Sequence, residues 1–264
     1  MPTGEWHEER VLITVKTYPN PSATYGETVC TAGIRQSGGF IRLYPVRFRL
    51  LAEDKRFAKY TWIRVPVKKA DRDSRPESYR LDDANIEREV TIDTKDGWQE
   101  RKEIVLPLLS PSVEALKARH EKDGTSLGII KPKKIVDFSI VPADSPSWTE
   151  KELTNLRKED LFAGAPPWVL EKIPVEFMYK FYCDDDNCDG HDMRLLDWEV
   201  AQSYRSWRLR YRDPDELSKK ILQRYRDEII EKYDTHFYLG TIANHPKSWT
   251  IIGLFYPPKA KAGA

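Results

Sequence analysis

The alternation of apolar and polar positions predicts short strands over most of the first 145 residues. Residues 11–17 (VLITVKT) are rich in β-branched side chains and end at the breaker Tyr18-Pro19-Asn20-Pro21. Residues 27–34 (ETVCTAGI) read as a second strand, and Gly38-Gly39 turns the chain into a third at 40–46. There Phe40, Arg42 and Tyr44 alternate with Ile41 and Leu43. Residues 60–68 (YTWIRVPVK) predict a fourth strand, with Pro66 marking an edge or a bulge. Residues 87–93 and 103–109 read as a further pair around Asp96-Gly97, and 134–141 as another strand. A helix is expected at 113–122, capped by Ser110-Pro111-Ser112 and stopped by Gly124. Many short strands with one helix predict a small curled sheet or barrel.

The pattern then lengthens. Thr149 and Glu152 form a capping box in front of a charged helix at 149–162, followed by a turn at 164–168 (GAPPW). Residues 175–183 alternate as a strand. Leu196, Val200, Tyr204, Trp207 and Tyr211 share one face of a helix expected at 195–211. Asp213-Pro214 separates it from a helix at 215–233, and strands at 237–242 and 249–255 close the chain as a hairpin joined by 243–248. The expected fold class is α+β: a strand-rich part at 1–145 and a mixed helix and strand part at 146–264. Linkers are expected at 142–150 and 164–168, short enough for the two parts to pack closely.

Composition narrows the partners. The 264 residues hold 43 Lys and Arg against 42 Asp and Glu, a net charge of +1. Three cysteines, Cys30, Cys183 and Cys188, fit a reduced cytoplasmic protein better than a disulfide framework. The first ten residues lack an apolar signal region. No apolar stretch approaches the roughly 20 residues that span a bilayer, so no membrane partner is expected. The tail 259–264 is expected to fray.

Charge is unevenly spread. Residues 35–80 carry thirteen Lys and Arg against five acids, an excess of eight. Phe40, Tyr44, Phe48, Phe57, Tyr60, Trp62 and Tyr79 lie among them. Cations neutralise phosphates and exposed rings stack on bases, so this stretch reads as a nucleic-acid surface, DNA favoured over RNA. The phosphate contacts expected there are Arg35, Arg42, Arg47, Arg49, Arg64, Lys68 and Lys69. A second basic element is Arg205, Arg208 and Arg212, on one helical face with Arg210 beside them. Lys247 adds a further contact.

Several side chains carry possible chemistry. Cys183-x4-Cys188-x2-His191 can hold zinc, because a short loop brings thiolates and imidazole to one ion. The fourth position would fall to Cys30, to His245, to an Asp of 184–192, or stay open for water. The density of Asp184, Asp185, Asp186, Asp189 and Asp192 also suits magnesium or calcium. Asp197 and Glu199 are candidate carboxylates for a metal-dependent nuclease. Glu27 could activate water for base excision with Asn20 orienting it, and His245 is a candidate acid at a loop tip. The chain lacks GxxxxGK[ST], GxGxxG and GxSxG, which argues against nucleotide hydrolysis, dinucleotide redox chemistry and serine hydrolysis. The expected function is a nucleic-acid-binding protein that processes DNA as a base-excising glycosylase or a metal-dependent nuclease. The alternative is a non-catalytic nucleic-acid or protein interaction module with a structural zinc site.

Overall fold

A computed structural model describes residues 4–71, 73–160, 169–243 and 245–260, without the side chains of 158–160. Arg72, the end of the helix expected to reach 162, the turn expected at 164–168 and the tail from 261 lie outside the described residues. The fold is α+β, with a curled, closed sheet in the N-terminal half and helices and strands in the C-terminal half. The chain forms two compact units, each built from two stretches. One takes the described residues up to Thr91 and those of Pro142–Pro174; the other takes Ile92–Val141 and Val175 onward.

The first stretch lays down β1 (His7–Lys16), β2 (Asn20–Ser22), β3 (Gly26–Arg35), β4 (Phe40–Val46), β5 (Thr61–Lys69), β6 (Ser78–Leu81) and β7 (Glu87–Thr91). The second unit opens with α1 (Lys95–Val105), β8 (Leu109–Ser110), α2 (Val113–Asp123), β9 (Leu127–Ile130) and β10 (Lys134–Pro142). Helix α3 (Glu150–Asp160) belongs to the first unit. The second unit resumes with β11 (Val175–Tyr182), β12 (His191–Arg194), α4 (Trp198–Trp207), α5 (Pro214–Leu222), α6 (Ile229–Lys232), β13 (His236–Ile242) and β14 (His245–Phe255).

In the first unit the strands run in the order β1-β3-β4-β6-β5, and β1 pairs back onto β5, so five strands close on themselves. Strand β7 pairs with β5 and β2 with β3 outside that ring. Closure removes the free edges that invite aggregation. Residues Val11, Leu12, Ile13, Thr14 and Val15 are all buried, so β1 is covered on both faces and reads as a continuous apolar run. Strands β1 and β3 approach so closely at Gly33 that a Cβ there would strike the Leu12 carbonyl. Helix α3 packs against β2 and β3. Its capping box is formed: the Thr149 N–H donates to the Glu152 carboxylate at 2.8 Å, and the Glu152 N–H donates to Thr149 Oγ1 at 3.3 Å.

In the second unit, sheet β10-β11-β12 and sheet β14-β13-β9-β8 supply the core. Tyr179 of β11 lies between Phe138 of β10 and Phe237 of β13, with ring centroids 4.8 and 5.0 Å away. These rings are fully buried and form part of the core of the unit. Helix α2 is capped as expected: Ser112 accepts from the Ala115 N–H, and Gly124 ends it with a left-handed φ of 79°. The expected closing hairpin is β13-β14.

Four expectations need correction. The strand expected at 103–109 is instead the end of helix α1 followed by a 3-10 turn at Leu106–Leu108, because Asp96, Gly97 and Trp98 all take positive φ and wind the chain into the helix. The Arg101 guanidinium then anchors α1 by donating twice to the Ile92 carbonyl. Helix α4 spans Trp198–Trp207, not 195–211, so Arg212 lies beyond it and does not share a helical face with Arg205: at its start Leu195 donates to the Phe177 carbonyl and Leu196 to the Ile251 carbonyl of β14 before Asp197 caps the helix. The helix expected at 215–233 contains a π-helical turn over Gln223–Glu228. The connection expected at 243–248 is shorter, since β14 starts at His245 opposite Ile242.

Candidate functional site

The basic stretch folds into the barrel, and its cations are turned toward neighbours in the same unit. Arg42 lies within the barrel wall, fully buried, and donates to Ser78 Oγ at 3.2 Å. It is a strut of the sheet and cannot reach a phosphate, contrary to expectation. Arg47 pairs with Asp83 at 3.1 Å and Arg49 with Glu27 at 2.8 Å. Arg64 bridges Glu8 and Glu89, at 3.3 and 3.2 Å. Arg35 faces Glu9 at 3.4 Å and its guanidinium stacks 4.6 Å from the Tyr79 ring. Lys68 reaches Asp71 at 3.9 Å, and Lys69 donates to the carbonyls of Arg75 and Pro76, both at 2.7 Å. The acids Glu8, Glu9, Glu27, Asp83 and Glu89 all lie outside the 35–80 window, which is why that window overstated the charge. Over residues 1–91 the excess falls from eight to three.

The interleaved rings are used in the same way. Phe57, Tyr60 and Trp62 are buried, and Trp62 carries the Arg10 guanidinium 4.3 Å from its centroid. Phe48 packs on Phe57 and takes the Lys16 ammonium at 4.1 Å. Tyr44 is the exposed large ring of the set named from the sequence. Rings already stacked on the protein's own cations make a poor platform for bases.

The carboxylate candidates hold structural positions. Glu27 on β3 is buried against Arg49, and Asn20 on β2 donates to the Tyr18 carbonyl at 3.3 Å. Strand pairing places Pro21 opposite Glu27 and Asn20 opposite Thr28, so Asn20 and Glu27 are diagonal neighbours. Asp197 is buried with both oxygens engaged: Oδ1 accepts from the Glu199 N–H at 2.9 Å and Oδ2 from the Leu254 N–H at 3.1 Å. It joins α4 to β14 and is not placed as half of a metal pair with Glu199, which is exposed. His245 and Lys247 are exposed on the first residues of β14, not at a loop tip.

Beyond α4 the chain presents a different surface. Arg208, Arg210 and Arg212 are exposed and Arg205 is half-buried, with the Arg205 Nη1 donating to Gln202 Oε1 at 3.3 Å. Leu209 among them is 74% exposed. The turn is held by the N–H groups of Arg210 and Tyr211, which both donate to the Trp207 carbonyl. The Arg210 guanidinium lies 5.5 Å from the Tyr211 ring.

The most compact chemistry in the second unit gathers at the β11-β12 hairpin. Phe181 and His191 face each other across it, and Cys183 and Cys188 lie in the turn between. The Cys188 Sγ accepts from the Cys183 N–H at 3.1 Å, and the Cys183 Sγ accepts from the Val113 N–H at 3.4 Å, at the first residue of α2. The next residue, Glu114, places Oε1 3.0 Å from His191 Nε2, which in turn lies 3.4 Å from the Cys188 Sγ. One ligand atom from each of Glu114, Cys183, Cys188 and His191 lies within 4.8 Å of every other. Burial pushes the Cys183 thiol up to about 12 and lowers the His191 imidazole, which favours its neutral form.

The expected fourth partners lie elsewhere. Cys30 is on β3 of the first unit, His245 is on β14, Asp184 pairs with Lys133 at 2.6 Å, Asp185 accepts from Ser112 Oγ at 2.6 Å, and Asp186, Asp189 and Asp192 are exposed outside the group of close donor atoms. Glu114 was missed. Nothing in its local sequence marks it, because it is 69 residues before Cys183 and reads only as an acid in the first turn of a helix.

Two family models match the chain. Residues 7–107 match Domain of unknown function (DUF8758), and residues 109–264, more than half of the chain, match Domain of unknown function (DUF8757). No curated protein matches it. Among the described residues no helix is long and apolar enough to cross a membrane.

Proposed function

The chain belongs to the family of Domain of unknown function (DUF8757), and we propose that it is a non-catalytic nucleic-acid-binding module. The observation that carries this reading is the arginine segment that starts in the last turn of α4 and runs past its end. Arg205, Arg208, Arg210 and Arg212 fall within eight residues, and no Asp or Glu occurs from Val200 to Arg212. Three of the four guanidinium groups are exposed. Arginine presents a planar fork of donors that matches phosphate oxygens, and a weakly hydrated cation loses little on contact. Leu209 beside them gives apolar surface for a sugar or base edge. The non-catalytic part of the reading is supported by the carboxylates: Glu27 is ion-paired with Arg49, and Asp197 spends both oxygens on backbone N–H groups.

The test is fluorescence anisotropy with a labelled DNA duplex and with single-stranded DNA and RNA of the same sequence. Affinity is expected to fall steeply with salt, by about 0.9 in log–log slope for each phosphate neutralised on a duplex. The variant Arg208→Glu/Arg212→Glu should lower that slope by roughly 2 and weaken binding at least tenfold in low salt. Binding that ignores salt, or survives the double reversal unchanged, would defeat the reading. Cleavage or base release from any of these substrates would defeat its non-catalytic part.

A further inference from the structure

We propose that Glu114, Cys183, Cys188 and His191 form a closed, tetrahedral zinc site that fastens the start of α2 to the β11-β12 hairpin. This site is independent of the nucleic-acid reading above. Its geometry comes first. Zinc holds sulfur at about 2.3 Å and nitrogen or oxygen at about 2.0–2.2 Å, so donors at the corners of a tetrahedron stand roughly 3.3–3.8 Å apart. The Cys188 Sγ to His191 Nε2 distance is 3.4 Å and the His191 Nε2 to Glu114 Oε1 distance is 3.0 Å. The remaining separations are all within 4.8 Å. Donors this close are within reach of one ion.

The donor set selects the metal. Two sulfurs, one imidazole nitrogen and one carboxylate oxygen suit zinc. Magnesium and calcium require oxygen shells, and iron–sulfur clusters are held by cysteines. Burial points the same way. The His191 side chain is only 7% exposed, and Glu114 Oε2 is buried with no hydrogen-bond partner among the described residues. A buried carboxylate oxygen without a partner is costly, and a cation beside it removes that cost. The scaffold also fits. Ser112 caps α2 by accepting from the Ala115 N–H, and it donates to Asp185 in the same turn that carries Cys183 and Cys188. The backbone thus holds helix and turn together at the point where the four donors converge.

Four protein donors fill a tetrahedron, which makes the site structural and leaves no corner for a reacting water. Its contribution is to folding: elements nearly 70 residues apart are joined by one ion, and metal binding adds directly to stability.

The experiment uses the full chain. Elemental analysis of purified protein should find about one zinc per chain. X-ray absorption at the zinc edge should fit two sulfur and two nitrogen or oxygen scatterers. Replacement by cobalt(II) should give the intense visible bands of a tetrahedral ion together with thiolate charge transfer. Chelation should lower Tm by roughly 10 °C, restored by zinc. Because Cys188→Ser alone could simply misfold, the decisive variant is Glu114→Gln. It keeps the helix start and should weaken cobalt binding by roughly tenfold or more while leaving both thiolate bands in place. Protein that holds no zinc and gives no cobalt bands on titration overturns the site. So does a scatterer count of three or four sulfurs. An unchanged affinity in Glu114→Gln removes Glu114 from it. None of these readouts involves nucleic acid, so the two proposals fail separately.

Discussion

A single carboxylate shows how much a residue's role depends on what surrounds it. Asp197 reads in the sequence as one of two acids spaced for metal chemistry. In the fold it is a buried clasp whose two oxygens accept from Glu199 and Leu254. Asp197→Ala should therefore destabilise the protein by about 3 kcal/mol, from a lost cap and a buried N–H left without a partner. Chemical denaturation will measure this, and a change below about 0.5 kcal/mol would contradict it. Asp73 offers a second case. Burial would raise its carboxyl, but hydrogen bonds from the Arg75 side chain, from Ser78 and from the Arg75 N–H outweigh burial and bring it down to about 2. A carboxylate held below its ordinary value stabilises the fold above that value and loses the contribution as pH falls. The ionised Asp73 carboxylate, held by Arg75 at 2.6 Å and by Ser78, should thus contribute about 2 kcal/mol near neutrality that fades between about pH 4 and pH 2. Urea midpoints of the native chain and of Asp73→Asn should differ near neutral pH and converge toward pH 2. A gap that stays constant would place the effect outside ionisation.

At the scale of the element, local signals were legible wherever one neighbourhood decides the outcome. The helix from Ser112 to Gly124, the capping box of Thr149 and Glu152, and the strand runs 11–17, 27–34 and 40–46 all depend on side chains within a few residues. They appear where the pattern puts them. The failures have a common cause. Residues 103–109 look like a strand by composition, yet α1 forms because the left-handed turn at Asp96, Gly97 and Trp98 and the Arg101 anchor to Ile92 commit the chain to a helix. Strand β6 has only four residues, too few for a periodic signal, and exists because β4 and β5 both pair with it. Close strand approach makes its own prediction. Gly33→Ala must push β3 off the Leu12 carbonyl of β1 or disrupt their pairing. A cost of about 2–3 kcal/mol is expected, since overpacking in a closed sheet has little room to relax. A thermal midpoint within about 2 °C of the unchanged protein would show that the strands can separate without penalty.

Across the whole chain, charge counted along a window and charge read in space are different quantities. The window 35–80 suggested a nucleic-acid face, but its cations meet acids contributed by β1, β3, β7 and the turn before β7. Arg208, Arg210 and Arg212, at the end of α4 and just beyond it, are exposed. Local patterning by itself determined the α+β class, the strand-rich first part, several helix limits, and the grouping of Cys183, Cys188 and His191 at one hairpin. Those features follow from periodicity and short-range hydrogen bonding, which act between residues a few positions apart. Only the tertiary structure decided that Arg42 is a buried strut, that Asp197 is a clasp, and that Glu114 lies within 4.8 Å of Cys183, Cys188 and His191. Each of these depends on which distant segments strand pairing and helix packing bring within about 4 Å, and hydrogen bonds, ion pairs and metal coordination are all set by that distance.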